Sequence, residues 1–333
     1  MINLIINNFT DFNYLSPLII FANKQKIQEV KTFVVLNDLK KERKSLFREE
    51  SNKFLNFPFI KSANVKVLNG ANDLKGELEG ERGIILTTTP TFYQLFNKKI
   101  IKRKFFGKNP IYVGFGYFNE FVKETAKKLD LIFFSAPIEN IGIKEKKVRY
   151  GLPYWDFFGS NSDFDFSYLD NLPVRSTGKN IVIPEIMQDG DSWLEQAYQY
   201  IVNNYSVNNN YYFKLRLKTL ASEERAKKLE EKLASYQNIF FTHSPYFFTT
   251  VNLLRKCDEV VFTSNASLFV IDCMAAGAKI VNLFDKPRMG LWKIDDYHYV
   301  CNNYVLSPEE TKKKHIARLG DCTENLFKEI AKL

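Results

Sequence analysis

Five short runs rich in β-branched and aromatic residues recur in the second half of the chain, separated by stretches with helical spacing. This alternation restricts the fold more than any other feature. The runs are Ile181-Val182-Ile183, Tyr211-Tyr212-Phe213-Lys214-Leu215, Ile239-Phe240-Phe241, Val260-Val261-Phe262 and Ile280-Val281-Asn282-Leu283. Ser192 and Glu195 have the spacing of a capping box, and Leu194, Ala197, Tyr198, Ile201 and Val202 follow at helical intervals. Residues 222–236 read as a charged, solvent-facing helix, and residues 247–256 and 268–276 as two more. Strands and helices alternating in this way predict a parallel sheet with helices on both faces.

The first half has the same rhythm. Strands are expected at residues 3–7, 32–36, 65–68, 83–87, 111–114 and 131–134, and helices at 39–54, 91–97 and 118–129. Residues 163–180, with Asp, Ser, Pro and Gly, read as a linker. The expected fold class is α/β, with two tandem Rossmann-like doubly wound domains. Their expected extents are 1–165 and 166–315, and a closing helix within 316–333 is expected to pack back on the first domain. Ligands of such sheets bind beyond the carboxyl ends of the strands, so the cleft between the domains is the expected site.

The chain has 333 residues, enough for two domains, and its 45% hydrophobic and 26% charged residues exclude a disordered or fibrous protein. Its longest uncharged apolar run, residues 15–22, is far short of the ~20 residues that span a bilayer. No signal peptide is visible, and Cys257, Cys273, Cys301 and Cys322 are scattered without a CxxC pair. The reading is of a cytoplasmic protein with reduced thiols. Residues 1–165 hold 26 Lys and Arg against 18 Asp and Glu, whereas residues 166–333 hold 21 against 20. The basic excess therefore sits in the first half, which is expected to face an anionic partner.

Residues 257–282 are the most informative segment. A hydrophobic run ends in Thr263-Ser264-Asn265-Ala266-Ser267, a helix follows, and Gly277 precedes the next strand. Hydroxyls and free N–H groups at a helix N-terminus suit a phosphate. The same pattern also describes a capped helix with a glycine stop. Asp272 lies five residues after Ser267, and Gly277 five after that.

This segment resembles the donor-binding part of GT-B glycosyltransferases. It is most similar to the CDP-glycerol glycerophosphotransferases, capsule Kdo transferases and polysialyltransferases. Leu86-Thr87-Thr88-Thr89-Pro90 resembles their TTTP turn, residues 148–156 their G-x-P-x-x-D, and residues 184–192 their P-x-Q…D-S loop. The resemblance spans roughly residues 84–285. It implies a GT-B fold, with Ser264, Asn265 and Ser267 contacting the donor phosphate and Asp272 the nucleotide ribose. The chain departs from the pattern at Ala266, at Gly114-Phe115-Gly116 where a His-Gly is usual, and at Lys214-Leu215-Arg216 where a Lys-x-His-Pro is usual. Lys214 and Arg216 remain donor-phosphate candidates, since a guanidinium pairs with phosphate oxygens through two N–H donors.

Transfer to a hydroxyl needs a group to accept its proton. The candidates are Glu185, Asp189 and Asp191 after the strand at Ile181, Glu120 after the strand at Ile111, and His243 at a strand end. Asp191 also reads as a helix-start residue, Asp189 as a turn residue before Gly190, and His243 as a structural histidine; His298 and His315 read as peripheral. Asp163-Phe164-Asp165 and Asp189-Gly190-Asp191 match a short metal-binding D-x-D, but neither follows a convincing buried strand. No metal and no other cofactor is expected. Residues 97–108 carry six Lys and Arg and the pair Phe105-Phe106. That run suits an anionic membrane surface, or a solvated loop over a buried Phe pair. No nucleic-acid-binding module is recognised.

The leading expectation is a transferase moving a sugar or glycerol phosphate from a CMP- or CDP-type donor to a surface glycan or lipid-linked acceptor. The alternatives are a catalytically silent homologue that binds nucleotide or scaffolds a partner, and a sugar-nucleotide epimerase.

Overall fold

Two parallel sheets organise the chain. The computed structural model describes residues 1–27, 29–36, 52, 55–56, 60, 64–79, 83–101, 111–116, 128–134, 148–150, 153–158, 178–186, 189–215, 220–243, 247–264, 269–283 and 322–332. In chain order the elements are β1 (Ile2–Ile6), α1 (Phe9–Lys24), β2 (Val30–Val35), β3 (Val65–Leu68), α2 (Ala71–Leu78), β4 (Ile84–Thr88), α3 (Thr89–Asn97), β5 (Ile111–Gly116), β6 (Leu131–Phe134) and β7 (Val148–Tyr150). A 3-10 turn (Pro153–Phe157) follows, then β8 (Asn180–Pro184), α4 (Asp191–Asn204), β9 (Asn210–Lys214), α5 (Leu220–Leu233), β10 (Ile239–Thr242), α6 (Phe247–Lys256), β11 (Glu259–Phe262), α7 (Phe269–Ala276), β12 (Lys279–Asn282) and α8 (Cys322–Ile330).

The first sheet runs β3-β2-β1-β4-β5-β6-β7 and the second β10-β9-β8-β11-β12, with every pair parallel. The two follow one rule. The first strand of each lies inside, its second and third strands extend to one side, and the fourth starts the other side. That reversal creates a switch point between β1 and β4 in one sheet and between β8 and β11 in the other. Parallel strands are covered on both faces, which is why β1, β2, β8 and β11 are buried almost throughout.

The chain divides into two compact units, Met1–Asp156 with Asp321–Leu333, and Phe157–Gly320. Within the first unit, the Asp156 carboxylate accepts the backbone N–H groups of Cys322 and Thr323, each at 2.7 Å, and so caps α8. Phe21 of α1 stacks on Phe327 of α8 with ring centroids 5.2 Å apart. Burial holds the Asp156 carboxyl above its usual range, and the N–H groups of Thr323 and Cys322 oppose that shift.

Strands 65–68 and 131–134 and helix 247–256 have the expected bounds; most other expected elements shift by one to three residues. The capping box does not form. α4 starts at Asp191 behind Gly190, so Ser192 lies inside the helix and its hydroxyl accepts from Gln196 Nε2 instead. Glu195 accepts from Gln199 and pairs with Lys232 at 2.7 Å. Gly190 takes φ +52°, a left-handed conformation that favours glycine. Apart from Asn52, the expected helix at 39–54 lies outside the described residues. So do most of the helix at 118–129, most of the linker, and Glu120, Asn265, Ser267, Arg216, Asp163, Asp165, His298, His315, Lys102, Arg103, Lys104, Phe105 and Phe106.

Candidate functional site

The register of the second sheet sets out a row of residues along its carboxyl edge. Lys214 is level with Thr242 on one side and Pro184 on the other, and Phe262 with Asn282. The backbone hydrogen bonds Glu185 N–H to Lys214 O (2.9 Å) and Leu283 N–H to Phe262 O (3.0 Å) carry the row one residue further. β8 and β11 are paired as Ile181 with Glu259 and Val182 with Val260, and the same offset sets Thr263 level with Glu185. The switch point is thus framed by Glu185 and Ile186 just after β8 and Thr263 and Ser264 just after β11.

Thr263 is 3% exposed, and among the described residues neither its Oγ1 nor the buried Oγ of the half-buried Ser264 has a hydrogen-bond partner. Buried hydroxyls without partners are costly, and a cluster of them calls for a group to satisfy them. α7 begins five residues after Ser264. Lys214 Nζ sits over the ring of Phe269, the first residue of α7, 4.9 Å from its centroid. A lysine from β9 therefore reaches across β8 to the start of the helix behind β11. Asp272 lies in the first turn of α7, 8% exposed. Gly277 ends the helix at φ +73°, and Ala278 N–H bonds Cys273 O at 2.9 Å. Hydroxyls, a lysine and a helix N-terminus are the groups that hold a phosphate.

The expected proton acceptors fall in different settings. Glu185 is 2% exposed, and its Oε1 accepts from Ser222 Oγ at 2.8 Å and Arg225 Nη2 at 3.3 Å. Ser222 and Arg225 were not singled out from the sequence. Their link to Glu185 is a contact across 37 and 40 residues that local spacing cannot reveal. Glu185 is therefore bound into a buried ion pair that ties α5 to the end of β8. Asp189 follows three residues after Ile186, and among the described residues its buried Oδ2 has no hydrogen-bond partner. Asp191 is exposed in the first turn of α4, where a carboxylate offsets the helix dipole. His243 follows β10, the outer strand on that side; it is exposed and its Nε2 lies 3.0 Å from Glu230 Oε1 of α5. Trp193, fully buried on α4, donates Nε1–H to Pro184 O at 3.0 Å and anchors the loop that carries Asp189.

Burial, with the Asp258 carboxylate beside it, pushes the Cys257 thiol up to about 12. Burial also raises the Cys273 thiol, with smaller contributions from Cys257 and Asp272 opposed by Lys214. Neither supplies a thiolate nucleophile near neutral pH. Among the described residues, no three His, Cys, Asp or Glu side chains are grouped to hold a metal. No helix among them is long and apolar enough to cross a membrane.

The first sheet has a polar centre at its own switch point. Asp11, fully buried in the first turn of α1, accepts Asn7 N–H (2.7 Å) and Thr91 Oγ1–H (2.8 Å) on Oδ2 and Thr88 Oγ1–H on Oδ1. Asn8 caps α1 by accepting Asp11 N–H at 3.0 Å, and its Nδ2 donates to Thr91 Oγ1 at 2.8 Å. Burial pushes the Asp11 carboxyl up to about 6, against the opposing effect of these hydrogen bonds. The Thr87-Thr88-Thr89-Pro90 stretch thus runs from the end of β4 into α3, with Thr88 bonded to Asp11.

Two Rossmann-like units, each on a parallel sheet with the same strand order, define the GT-B fold, and this chain has it. A UDP-GlcNAc 2-epimerase from Methanocaldococcus jannaschii, solved with UDP-GlcNAc and UDP, is similar over 100% of this chain and 99% of its own, at 14% identity and a TM-score of 0.60. The UDP-GlcNAc 2-epimerase of Neisseria meningitidis, solved with UDP-GlcNAc, is similar over 100% of both chains, at 15% identity and a TM-score of 0.55. A glycosyltransferase from Rickettsia africae is similar over 99% of this chain and 98% of its own, at 11% identity and a TM-score of 0.50. No protein-family model and no curated protein sequence matches the chain. These neighbours share the expected fold but are not the CDP-glycerol, Kdo or polysialic acid transferases that the sequence motifs resemble.

Proposed function

We propose that the chain is a nucleotide-sugar enzyme that holds the donor diphosphate at the carboxyl edge of β8 and β11. The observation that carries this reading is the pair of unpartnered hydroxyls, Thr263 and Ser264, ahead of α7, with Lys214 over Phe269. Ser264, Lys214 and the first amides of α7 neutralise the phosphates. Asn265, Ser267 and Arg216 extend the same set, and Asp272 is assigned to the ribose. Uridine is the favoured base, because the similar epimerases were solved with UDP-GlcNAc.

Of the two chemistries, epimerisation of the sugar has the better support, since the epimerases above share the whole chain at the higher TM-scores. It requires a group that removes and returns a proton, within ~3 Å of the reacting atom. Asp189, with its unsatisfied Oδ2, is the candidate. Glu185 is assigned to holding the edge, because Ser222 and Arg225 occupy its Oε1. Glycosyl transfer to a glycan or lipid-linked acceptor is the second reading. It draws on the Rickettsia glycosyltransferase and on the basic run at residues 97–108.

Incubation with UDP-GlcNAc in D2O, followed by NMR, separates the two. Deuterium entering the sugar ring together with a new isomer supports epimerisation. UDP release that depends on an added glycan supports transfer. UDP binding with neither outcome identifies a silent nucleotide binder, and no binding of UDP or UDP-GlcNAc overturns the reading.

A further inference from the structure

The helices α1 and α3 end in the same way at the amino edge of the first sheet. In α1, Ile27 N–H bonds Ala22 O at 2.9 Å and Lys26 N–H bonds Asn23 O at 3.1 Å. In α3, Ile100 N–H bonds Leu95 O and Lys99 N–H bonds Phe96 O, both at 3.0 Å. This pair of bonds closes a helix through one left-handed residue, a place that glycine usually takes. Here lysine takes it twice, Lys26 at φ +54° and Lys99 at φ +56°. The other non-glycine residue with positive φ among those described is Asn238, a type that tolerates the conformation. A lysine there strains the backbone. Attraction to the helix dipole does not require it, because Lys24 in the last turn of α1 and Lys98 at the C-cap of α3 already supply a cation. All four lysines are exposed. The half-buried Lys128, three residues before β6, has its Nζ 4.0 Å from the ring centroid of Phe96 in the last turn of α3. The acids near these lysines are Glu29, 3.8 Å from the Met1 amino group, and the half-buried Asp130. Glu77 and Glu79 stand at the end of α2, which packs on β2 and β3. The connection from α3 to β5 starts and ends at this edge, and its sequence adds Lys102, Arg103, Lys104 and Lys108 with no acid before Ile111.

We propose that the amino edge of the first sheet, with Lys24, Lys26, Lys98, Lys99 and Lys128, is a docking surface for an anionic lipid membrane. The crossovers from β1 to β2 and from β4 to β5 run in opposite directions along the sheet, which sets α1 and α3 on opposite faces. The lysines therefore span the edge from one face to the other. A plane of lipid phosphates meets all of them at once, whereas a nucleic-acid strand is a line that follows one face or groove. Phe105-Phe106 in the basic connection also favours lipid, because apolar side chains beside cations enter the headgroup region. The surface lies at the edge opposite the Asp11 centre, and it stands independently of the nucleotide reading above.

Co-sedimentation of the full chain with vesicles tests this, using phosphatidylcholine alone and an equal mixture of phosphatidylcholine and phosphatidylglycerol. Wild type should pellet with the mixed vesicles and not with phosphatidylcholine alone, and high salt should release it as the screening length shortens. Lys26→Gly and Lys99→Gly should each lower binding about five-fold, and the two together about 25-fold. Their melting temperatures should not fall, because glycine suits the left-handed position. Lys128→Gln should lower binding by about the same five-fold. No pelleting of wild type, equal pelleting with both vesicle types, or undiminished binding of the double variant overturns the proposal. A lower melting temperature in the glycine variants would make the lysines structural and overturn it as well. Release from the vesicles by single-stranded RNA at equal phosphate concentration would assign the edge to nucleic acid instead. UDP should leave vesicle binding unchanged, and failure of UDP to bind would sink the proposed function while leaving this result to stand.

Discussion

Asp11 and Thr91 are 80 residues apart and joined by a 2.8 Å hydrogen bond from the threonine hydroxyl to the carboxylate. That bond ties the first turn of α1 to the first turn of α3, across the switch point of the first sheet. Thr91→Val keeps the side chain's shape and removes the donor. It should destabilise the protein by about 1–3 kcal/mol, because a buried acceptor loses a partner. Urea denaturation at neutral pH is the check, and a loss below the error of the method would show that the bond contributes nothing net.

The same carboxyl gives a pH signature. Its value in the folded state is raised from 3.8 to about 6, so ionisation is harder in the native chain than in the unfolded one. The raised value makes its contribution largest below pH ~4, and that contribution is lost as pH rises through about 6. Relative to Asp11→Asn, wild type should lose about 2–3 kcal/mol of stability between pH 4 and pH 7. Parallel curves for the two proteins would contradict this.

Asp156 should act on α8 alone. Asp156→Ala removes both N–H acceptors at the helix start, an N-cap loss of about 1–2 kcal/mol. Hydrogen exchange at residues 322–330 should quicken while β8 and β11 stay protected. Asp156→Asn should recover part of the protection, because the amide oxygen still accepts one N–H.

The Glu185–Arg225 pair is buried at its carboxylate end, with 1% side-chain exposure for Glu185 and 12% for Arg225. Arg225→Met should cost about 3–5 kcal/mol by stranding the carboxylate. The double change with Glu185→Gln should cost less than the two single changes added together. Additive losses in thermal or chemical unfolding would show that the two residues act independently.

Much of the fold was legible in the sequence because parallel strands are buried on both faces and stand out as apolar runs. Residues 181–183 and 260–262 are cases. α1 was not legible as a helix. Its apolar residues, including Phe12, Leu15, Leu18, Ile19 and Ile20, are buried around most of its circumference, and Pro17 stands inside it, so no amphipathic stripe marks it. The Thr263-Ser264 loop could be read locally, because a strand, a hydroxyl loop and a helix are consecutive. The Asp11 centre could not, since its partners Thr88 and Thr91 become neighbours only when β4 pairs with β1. Glu185 and His243 show the same limit in reverse. Their positions after strands suggested chemistry, and their partners on α5 became visible only in three dimensions.

We propose that the edge of β8 and β11 holds a nucleotide diphosphate. Calorimetric titration of UDP into wild type, Ser264→Ala and Lys214→Ala tests it most directly. Wild type should show one site, with an affinity about 5- to 10-fold weaker in Ser264→Ala and at least about 10-fold weaker in Lys214→Ala, and melting temperatures should be unchanged in the absence of nucleotide. UDP binding that is equal in all three proteins would contradict it.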